Sequence, residues 1–313
     1  MGSYFEVRLP ASTPGAVDLA TRALDMIDAL EGQLTVYRDD SEVSRLNATA
    51  HIGPVEVERG LFRLLELAVE LSRETDGAYD VTAGALSEAW GFVRGPKRVP
   101  DETTLADARA RTGWHHLRLD TDLRTVAFDR AGVCINLGSI GKGYAIDRAV
   151  DVIRAHYWPT SALVHGGQSS LYALGSPPGT VGGRWEVALR NPFEPSAPLG
   201  TLRLRNRGLG TSGAAFQHFV ADGRAYGHLI DPRSGEPALG PASVTVVAPT
   251  AAIADALSTA FYLLGPEAAR AYVARHPEIG VIFVLEGPSA AESRLIVLGL
   301  TEYDFAAARN AVH

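Results

Sequence analysis

The sequence predicts an α+β fold, with mixed sheets and flanking helices arranged in two lobes. Apolar residues recur at helical spacing in a few long stretches, and short β-rich runs crowd the second half. The two patterns do not alternate strictly, which argues against a doubly wound parallel sheet. The 313 residues include 18 prolines and 32 glycines, spread along the chain rather than pooled into a linker. No charge run or repeat divides the chain either, so residues 1–313 read as one continuous domain.

From the N-terminus, Thr13-Pro14 reads as an N-cap and first helical residue, with Val17, Leu24, Ile27 and Leu30 at helical spacing behind it. A second amphipathic helix carries Leu61, Leu64, Leu65, Ala68 and Leu71 and ends at Asp76-Gly77, where glycine suits the left-handed C-cap. Residues 117–129 alternate about Thr121-Asp122, which puts Leu117, Leu119, Val126 and Phe128 on the apolar positions of a hairpin. A strand through Val133 and Ile135 is expected to enter a glycine-rich run, with a helix from about Tyr144 to His156. Ala162-Leu-Val, Ser170-Leu-Tyr-Ala-Leu, Trp185-Glu-Val-Ala-Leu and Ser243-Val-Thr-Val-Val have strand composition. Pro249-Thr250 opens a helix expected to run to Leu264 and stop at Gly265-Pro266. Ile279 to Leu285 and Leu295 to Leu298 close the chain as a strand pair.

Composition narrows the function classes. A 46% hydrophobic and 21% charged chain is an ordinary globular protein. Its formal charge of −7 argues against a nucleic-acid surface, which needs a basic stripe. The single Cys134 excludes an internal disulfide and a cysteine-based zinc site, and its apolar neighbours point to a buried, inert thiol. Residues 1–12 lack a basic and then apolar leader, and no run reaches the ~20 apolar residues of a membrane span. A cytoplasmic location is the expectation, with a trimmed leader as the alternative.

Three constellations carry chemistry. In Asn136-Leu-Gly-Ser-Ile-Gly-Lys-Gly-Tyr-Ala145, bare backbone at Gly138, Gly141 and Gly143 can approach a ligand and aim amides at a phosphate, although a plain tight turn accounts for the glycines equally well. Asp255 and Thr259 lie four apart on a strongly apolar helix and so project from one face. A carboxylate and a hydroxyl there suit Mg²⁺, and a carboxylate satisfied by hydrogen bonds is the competing account. His228, in Tyr226-Gly-His-Leu-Ile-Asp-Pro, is a candidate general base, while Asp231 before Pro232 reads first as a turn former.

Together with Gly210-Thr-Ser-Gly and Ala254-Asp-Ala-Leu-Ser-Thr259, these segments resemble, in order, the FAD:protein FMN transferase (ApbE) family. Met1-Gly2-Ser3, Tyr37-Arg-Asp-Asp-Ser-Glu-Val-Ser-Arg-Leu-Asn47 and Ala78-Tyr-Asp-Val-Thr-Ala-Gly-Ala-Leu86 extend the resemblance through most of the chain. It implies a flavoprotein enzyme with FAD as substrate in a cleft between two lobes. Flavin contacts would come from Met1, Tyr37, Ala78, Tyr79, Asp80, Gly138, Tyr144 and Leu229. Magnesium would be held by the Gly141 carbonyl, Asp255 and Thr259, and His228 would be the base. FMN would pass from FAD to a Ser or Thr of an acceptor protein, releasing AMP. Four positions depart from the family pattern: Ser139 and Gly141 in the glycine segment, where a carbonyl ligand survives a change of side chain, Gln168 where an Asp is common, and Ala214 where an acidic or hydroxyl residue follows Thr-Ser-Gly. The same residues leave open an Mg²⁺-dependent FAD pyrophosphatase, a non-catalytic flavin carrier, and transfer to a non-protein acceptor.

Overall fold

Two-residue alternation along the strands organises the first of two structural units. The computed structural model describes residues 3–156, 161–180, 182–213, 218–286 and 293–308, and the backbone of 311–312. Met1–Ala29, Ile140–Ala215 and Gly240–His313 form the first unit, and Leu30–Ser139 with Phe216–Leu239 the second. The chain enters the second unit twice, so neither unit is one contiguous segment.

The first unit is built on an eight-stranded sheet. Its strands run in the order Phe5–Arg8, Ala162–Gly166, Ser170–Leu174, Arg207–Ser212, Ser243–Ala248, Gly280–Glu286, Ser293–Leu298 and Ala311–Val312. All neighbours are antiparallel except the final pair. Such a sheet needs no β-α alternation, which is why the sequence shows none. On one face Leu163, Ala173, Leu209, Val247, Ile282, Val284 and Leu295 meet Leu202, Leu204 and Phe305 of a three-stranded sheet formed by Trp185–Leu189, Gly200–Leu204 and Phe305–Ala307. The opposite face carries the Gly141–Arg154 and Ala251–Arg275 helices.

Glycine sets how closely those helices approach. In the Arg207–Ser212 strand, Leu209 turns to the sheet-sheet core while Gly208 and Gly210 face the Ala251–Arg275 helix. A Cβ at Gly208 would lie 2.3 Å from the Ala251 nitrogen, and one at Gly210 would lie 2.5 Å from the Asp255 nitrogen. A Cβ at Gly143 would lie 2.1 Å from the Ala251 carbonyl oxygen. These are backbone-to-backbone contacts that no rotamer change relieves.

The second unit has a three-stranded sheet (Val55–Glu56, Thr125–Phe128, Leu117–Asp120), a two-stranded ribbon (His218–Ala221, Arg224–Gly227) and several helices. The predicted hairpin is present, with Leu117 opposite Phe128 and Leu119 opposite Val126. The Arg59–Glu74 helix buries Leu61, Leu64, Leu65, Ala68 and Leu71, and Asp76 and Gly77 both take positive φ after it, as its C-terminal signal requires. Trp90 packs in an apolar cluster with Leu86, Ala89 and Ile230, its indole nitrogen donating to the Gly235 carbonyl at 2.8 Å.

Several expectations need correction. The first helix spans Ala16–Leu34, because Gly15 sits at φ +64° and ends the preceding turn. Its buried face is Leu19, Ala23, Ile27, Leu30 and Leu34, while Val17 is 82% exposed. Val133 and Ile135 are buried but form no strand, and only one isolated bridge joins Cys134 to Ala83. The following helix begins at Gly141, three residues before the predicted Tyr144. The expected stop at Gly265-Pro266 is present as a break in helical geometry (φ 80°, ψ −179°), and what the sequence did not show is a second helical stretch that follows at once and runs to Arg275.

Gly208→Ala should lower stability by about 1–3 kcal/mol, the usual range for an overpacked core. Gly53→Ala, with nothing within 4 Å of the new Cβ, should stay within about 0.5 kcal/mol. Urea unfolding midpoints of the two variants check this, and equal midpoints would refute the packing argument.

Candidate active site

Asp255 lies one turn into the Ala251–Arg275 helix, whose N-cap Thr250 accepts from the Ile253 amide. The same helix start is held by Asp147, whose carboxylate accepts from the Ala251 and Ala252 amides at 2.8 and 2.9 Å. Burial nevertheless pushes Asp147 up to about 7, against the lowering effect of those two amides and with a smaller upward contribution from Asp255. Asp255 itself is 6% exposed, and burial pushes its carboxyl up to about 6. Lys142, the Ser170 hydroxyl and the Gly143 amide each pull in the opposite direction.

Both Asp255 oxygens have donors. Oδ2 accepts from the Gly143 amide and Oδ1 from the Ser170 hydroxyl, each at 2.7 Å. Thr259 follows one turn later, its hydroxyl 3.2 Å from Ser212 Oγ and 3.4 Å from the Asp255 carbonyl oxygen. Ser212, from Gly210-Thr-Ser-Gly, also meets Ser258 at 2.8 Å. Lys142 Nζ donates to Ser169 Oγ. Gly141 is buried at the first position of its helix.

This set fits a divalent cation. A carboxylate offers about four lone-pair sites, of which the two donors here occupy one on each oxygen. A buried carboxylate displaced upward by desolvation is a group that a cation would return to its charged form. Among the described residues no three His, Cys, Asp or Glu cluster together. The donor set is therefore one carboxylate with neutral oxygens, hard ligands of the kind Mg²⁺ takes alongside phosphate.

Within the glycine segment, two amides have internal partners. Gly138 N donates to Asn136 Oδ1 at 2.9 Å, and Gly143 N is the Asp255 donor just described. Gly143 is needed for close packing, and its amide orients a carboxylate. Tyr144 is half-buried in the first turn of the Gly141–Arg154 helix.

In the second unit, Tyr37 is 64% exposed and Tyr79 1% exposed, so only the first offers an open ring face. Ala78 is buried. The Asp80 carboxylate turns inward, accepting from the Thr82 amide (2.8 Å), the Thr82 hydroxyl (2.6 Å) and the Trp114 amide (2.7 Å). Burial raises its pKa above the ordinary range, and those three donors oppose the shift. Asn47, which ends the tyrosine-to-asparagine segment, exchanges two hydrogen bonds with the Ile135 backbone at 2.8 and 2.9 Å.

His228 is half-buried immediately after the Arg224–Gly227 strand, and Leu229 beside it accepts from the Ala238 amide through its carbonyl. Asp231 forms its turn with Arg233, whose guanidinium pairs with it at 2.7 and 2.9 Å, so the carboxylate shapes the loop as expected. Cys134 is only partly buried, but desolvation and Glu88 push its thiol up to about 12, consistent with an inert sulfur. Gln168 meets Arg190 through its amide oxygen. Met1 and Ala214 lie outside the described residues.

Sequence reasoning passed over Lys142, Ser169, Ser170 and Asp147 as individual site residues. Ser169 and Ser170 are separated from Asp255 by more than 80 positions, and no spacing rule links them. Asp147 lies four residues past Gly143, on the same helix face, which is a signal that was available.

The Asp255 shift has a measurable consequence. Its folded pKa of about 6 exceeds the ordinary 3.8, so its contribution to stability is full below 3.8 and is lost as pH rises through 6. With chelator present, Asp255→Asn should therefore raise the unfolding free energy at pH 8 by up to about 3 kcal/mol, at about 1.4 kcal/mol per pKa unit, as read from urea unfolding. The gap should close as pH falls from 7 to 4. A gap independent of pH would show that the carboxylate is not held against desolvation.

The ApbE family model matches residues 1–283. FAD:protein FMN transferase from Treponema pallidum is 32% identical over 299 residues, covering 91% of this chain and 82% of the relative. The protein of the same name from Escherichia coli is 27% identical, covering 92% and 83%. Among solved structures, the ApbE protein of Thermotoga maritima superposes with a TM-score of 0.81 at 28% identity, covering 92% and 96% of the two chains. Flavin transferase ApbE from Vibrio cholerae gives 0.81 at 26% identity, covering 97% and 95%. With nine-tenths of its length matched, an α+β architecture in common and curated relatives that are flavin-transferring enzymes, the chain belongs to the ApbE family.

Proposed function

We propose that this flavin transferase is a Mg²⁺-dependent FAD:protein FMN transferase, moving FMN from FAD to a Ser or Thr hydroxyl of an acceptor protein and releasing AMP. The observation that carries the reading is the buried Asp255 carboxylate with Thr259 one turn on and Lys142 nearby. An anionic pyrophosphate meeting a chain of net charge −7 needs local positive charge, and this is where the first unit can assemble it.

Asp255, Thr259 and the Gly141 carbonyl would hold the metal. When bound, Mg²⁺ supplies neutralisation of charge on the pyrophosphate oxygens. Lys142 adds a fixed ammonium, and the positive end of the Gly141–Arg154 helix dipole favours an anion at the same terminus. His228 accepts the acceptor's hydroxyl proton while the resulting oxygen forms a bond to the FMN-side phosphorus. The P–O bond to AMP breaks, and its electron pair leaves on the AMP phosphate. Little covalent chemistry falls to the enzyme, so positioning and preset charge supply most of the acceleration. The exposed Tyr37 ring, the 78–80 segment, Gly138, Tyr144 and Leu229 are assigned to flavin.

Incubation with FAD, MgCl₂ and a Ser/Thr-containing acceptor, followed by intact mass measurement, tests the reading. The acceptor should gain one FMN. Appearance of free FMN with an unmodified acceptor would replace transfer by hydrolysis.

His228→Ala should lose transfer by ~100-fold or more, the scale of general-base removal, with KM for FAD nearly unchanged. Transfer at the parent rate would return this imidazole to a structural role. Loss of FAD binding would make it a flavin contact instead.

A further inference from the structure

The Asp255 carboxylate is connected to Lys142 through two hydroxyls. Lys142 Nζ contacts Ser169 Oγ, Ser169 Oγ lies 3.4 Å from Ser170 Oγ, and Ser170 Oγ lies 2.7 Å from Asp255 Oδ1. An ammonium can only donate and an ionised carboxylate can only accept, so the ends dictate the direction of every proton between them. Lys142 donates to Ser169, Ser169 points its proton at Ser170, and Ser170 gives its own to Asp255. A hydroxyl between two other hydroxyls would be free to reverse, but this pair is not.

We propose that Ser170, polarised through Ser169 by Lys142, is a positioning residue that clamps the Asp255 carboxylate for its divalent cation. The inference deepens the reading of the same site as a magnesium-dependent transferase and rests on it. Two donors from different elements fix the carboxylate plane. The Gly143 amide comes from the Gly141–Arg154 helix and the Ser170 hydroxyl from the Ser170–Leu174 strand. Among the described residues no second donor reaches either oxygen, so each presents its remaining lone pair in a preset orientation. Without Ser170, Oδ1 loses its hydrogen bond, and the carboxylate can rotate about the remaining contact with Gly143. The cation must then order its own ligand, which weakens its binding while leaving flavin recognition untouched.

Gln168 does not supply this function, because it is exposed and its amide oxygen contacts Arg190. The strand that follows brings the two serines to the helix instead. Ser170 is 3% exposed and paired in register with Gly210, whose missing side chain lets the Asp255 turn approach the sheet.

The test measures cation binding directly, with Mn²⁺ as the probe, by electron paramagnetic resonance of the free ion in the presence of FAD. Ser170→Ala should weaken Mn²⁺ binding by about 10-fold, the change expected when a ligand's hydrogen-bonded orienter is lost. KM for FAD at saturating Mg²⁺ should move less than twofold, and far-UV circular dichroism should match the parent. Ser170→Thr, which keeps the hydroxyl, should bind Mn²⁺ within about threefold of the parent, and Ser169→Ala should fall between the two. Unchanged Mn²⁺ affinity in Ser170→Ala overturns the proposal, as does a threonine variant as weak as the alanine variant, or a parent that binds no Mn²⁺ with FAD present. Mn²⁺ binding with the expected order of variants, but without FMN transfer, would uphold the clamp and overturn only the transferase reading.

Discussion

The first unit depends on a backbone-to-backbone approach at the start of the Ala251–Arg275 helix. Three glycines on two neighbouring elements, Gly143, Gly208 and Gly210, leave no atoms where a methyl group would overlap that helix by more than an ångström of van der Waals distance. The approach decides where Asp255 can stand. It brings the carboxylate within hydrogen-bonding distance of the Gly143 amide and the Ser170 hydroxyl, and it excludes the water that would otherwise solvate it. The same closeness raises the carboxyl's pKa, because burial disfavours its charged form. Packing and electrostatics here are one design viewed at two scales.

Much of the fold was legible from local pattern. The Arg59–Glu74 helix, the hairpin of Leu117–Asp120 with Thr125–Phe128 and six strands of the first unit lie where periodicity put them. The failures share a cause. The Arg207–Ser212 strand is central in the sheet yet contains two glycines and an arginine, because its helix-facing positions must be empty rather than apolar. Val133 and Ile135 have strand composition and are buried, but the backbone of Ile135 is partnered by the Asn47 side chain rather than by a neighbouring strand. A side-chain amide that substitutes for a β ladder leaves no mark on hydropathy.

The candidate site was half legible. Asp255 and Thr259 could be read because helical spacing puts them on one face of an otherwise apolar stretch, where a carboxylate is conspicuous. Ser170 and Lys142 could not, since their relation to Asp255 exists only after the sheet has formed. The structure also redistributes the meaning of the recognisable segments. Asp80 and Asn47 spend their side chains on the Thr82–Trp114 turn and the Ile135 backbone. A family signature thus mixes groups that hold the scaffold with groups that face a ligand, and sequence position alone does not separate them.

The interruption at Gly265 bears on how the molecule breathes. Pro266 brings no amide hydrogen, so the helical ladder loses a rung beside a residue with non-helical geometry. Opening that begins at Arg275 then has a natural end point, and amides beyond Pro266 should exchange with solvent before those around Asp255. The helix is then two segments in series, with Asp255 and Thr259 both on the one held by glycine contacts.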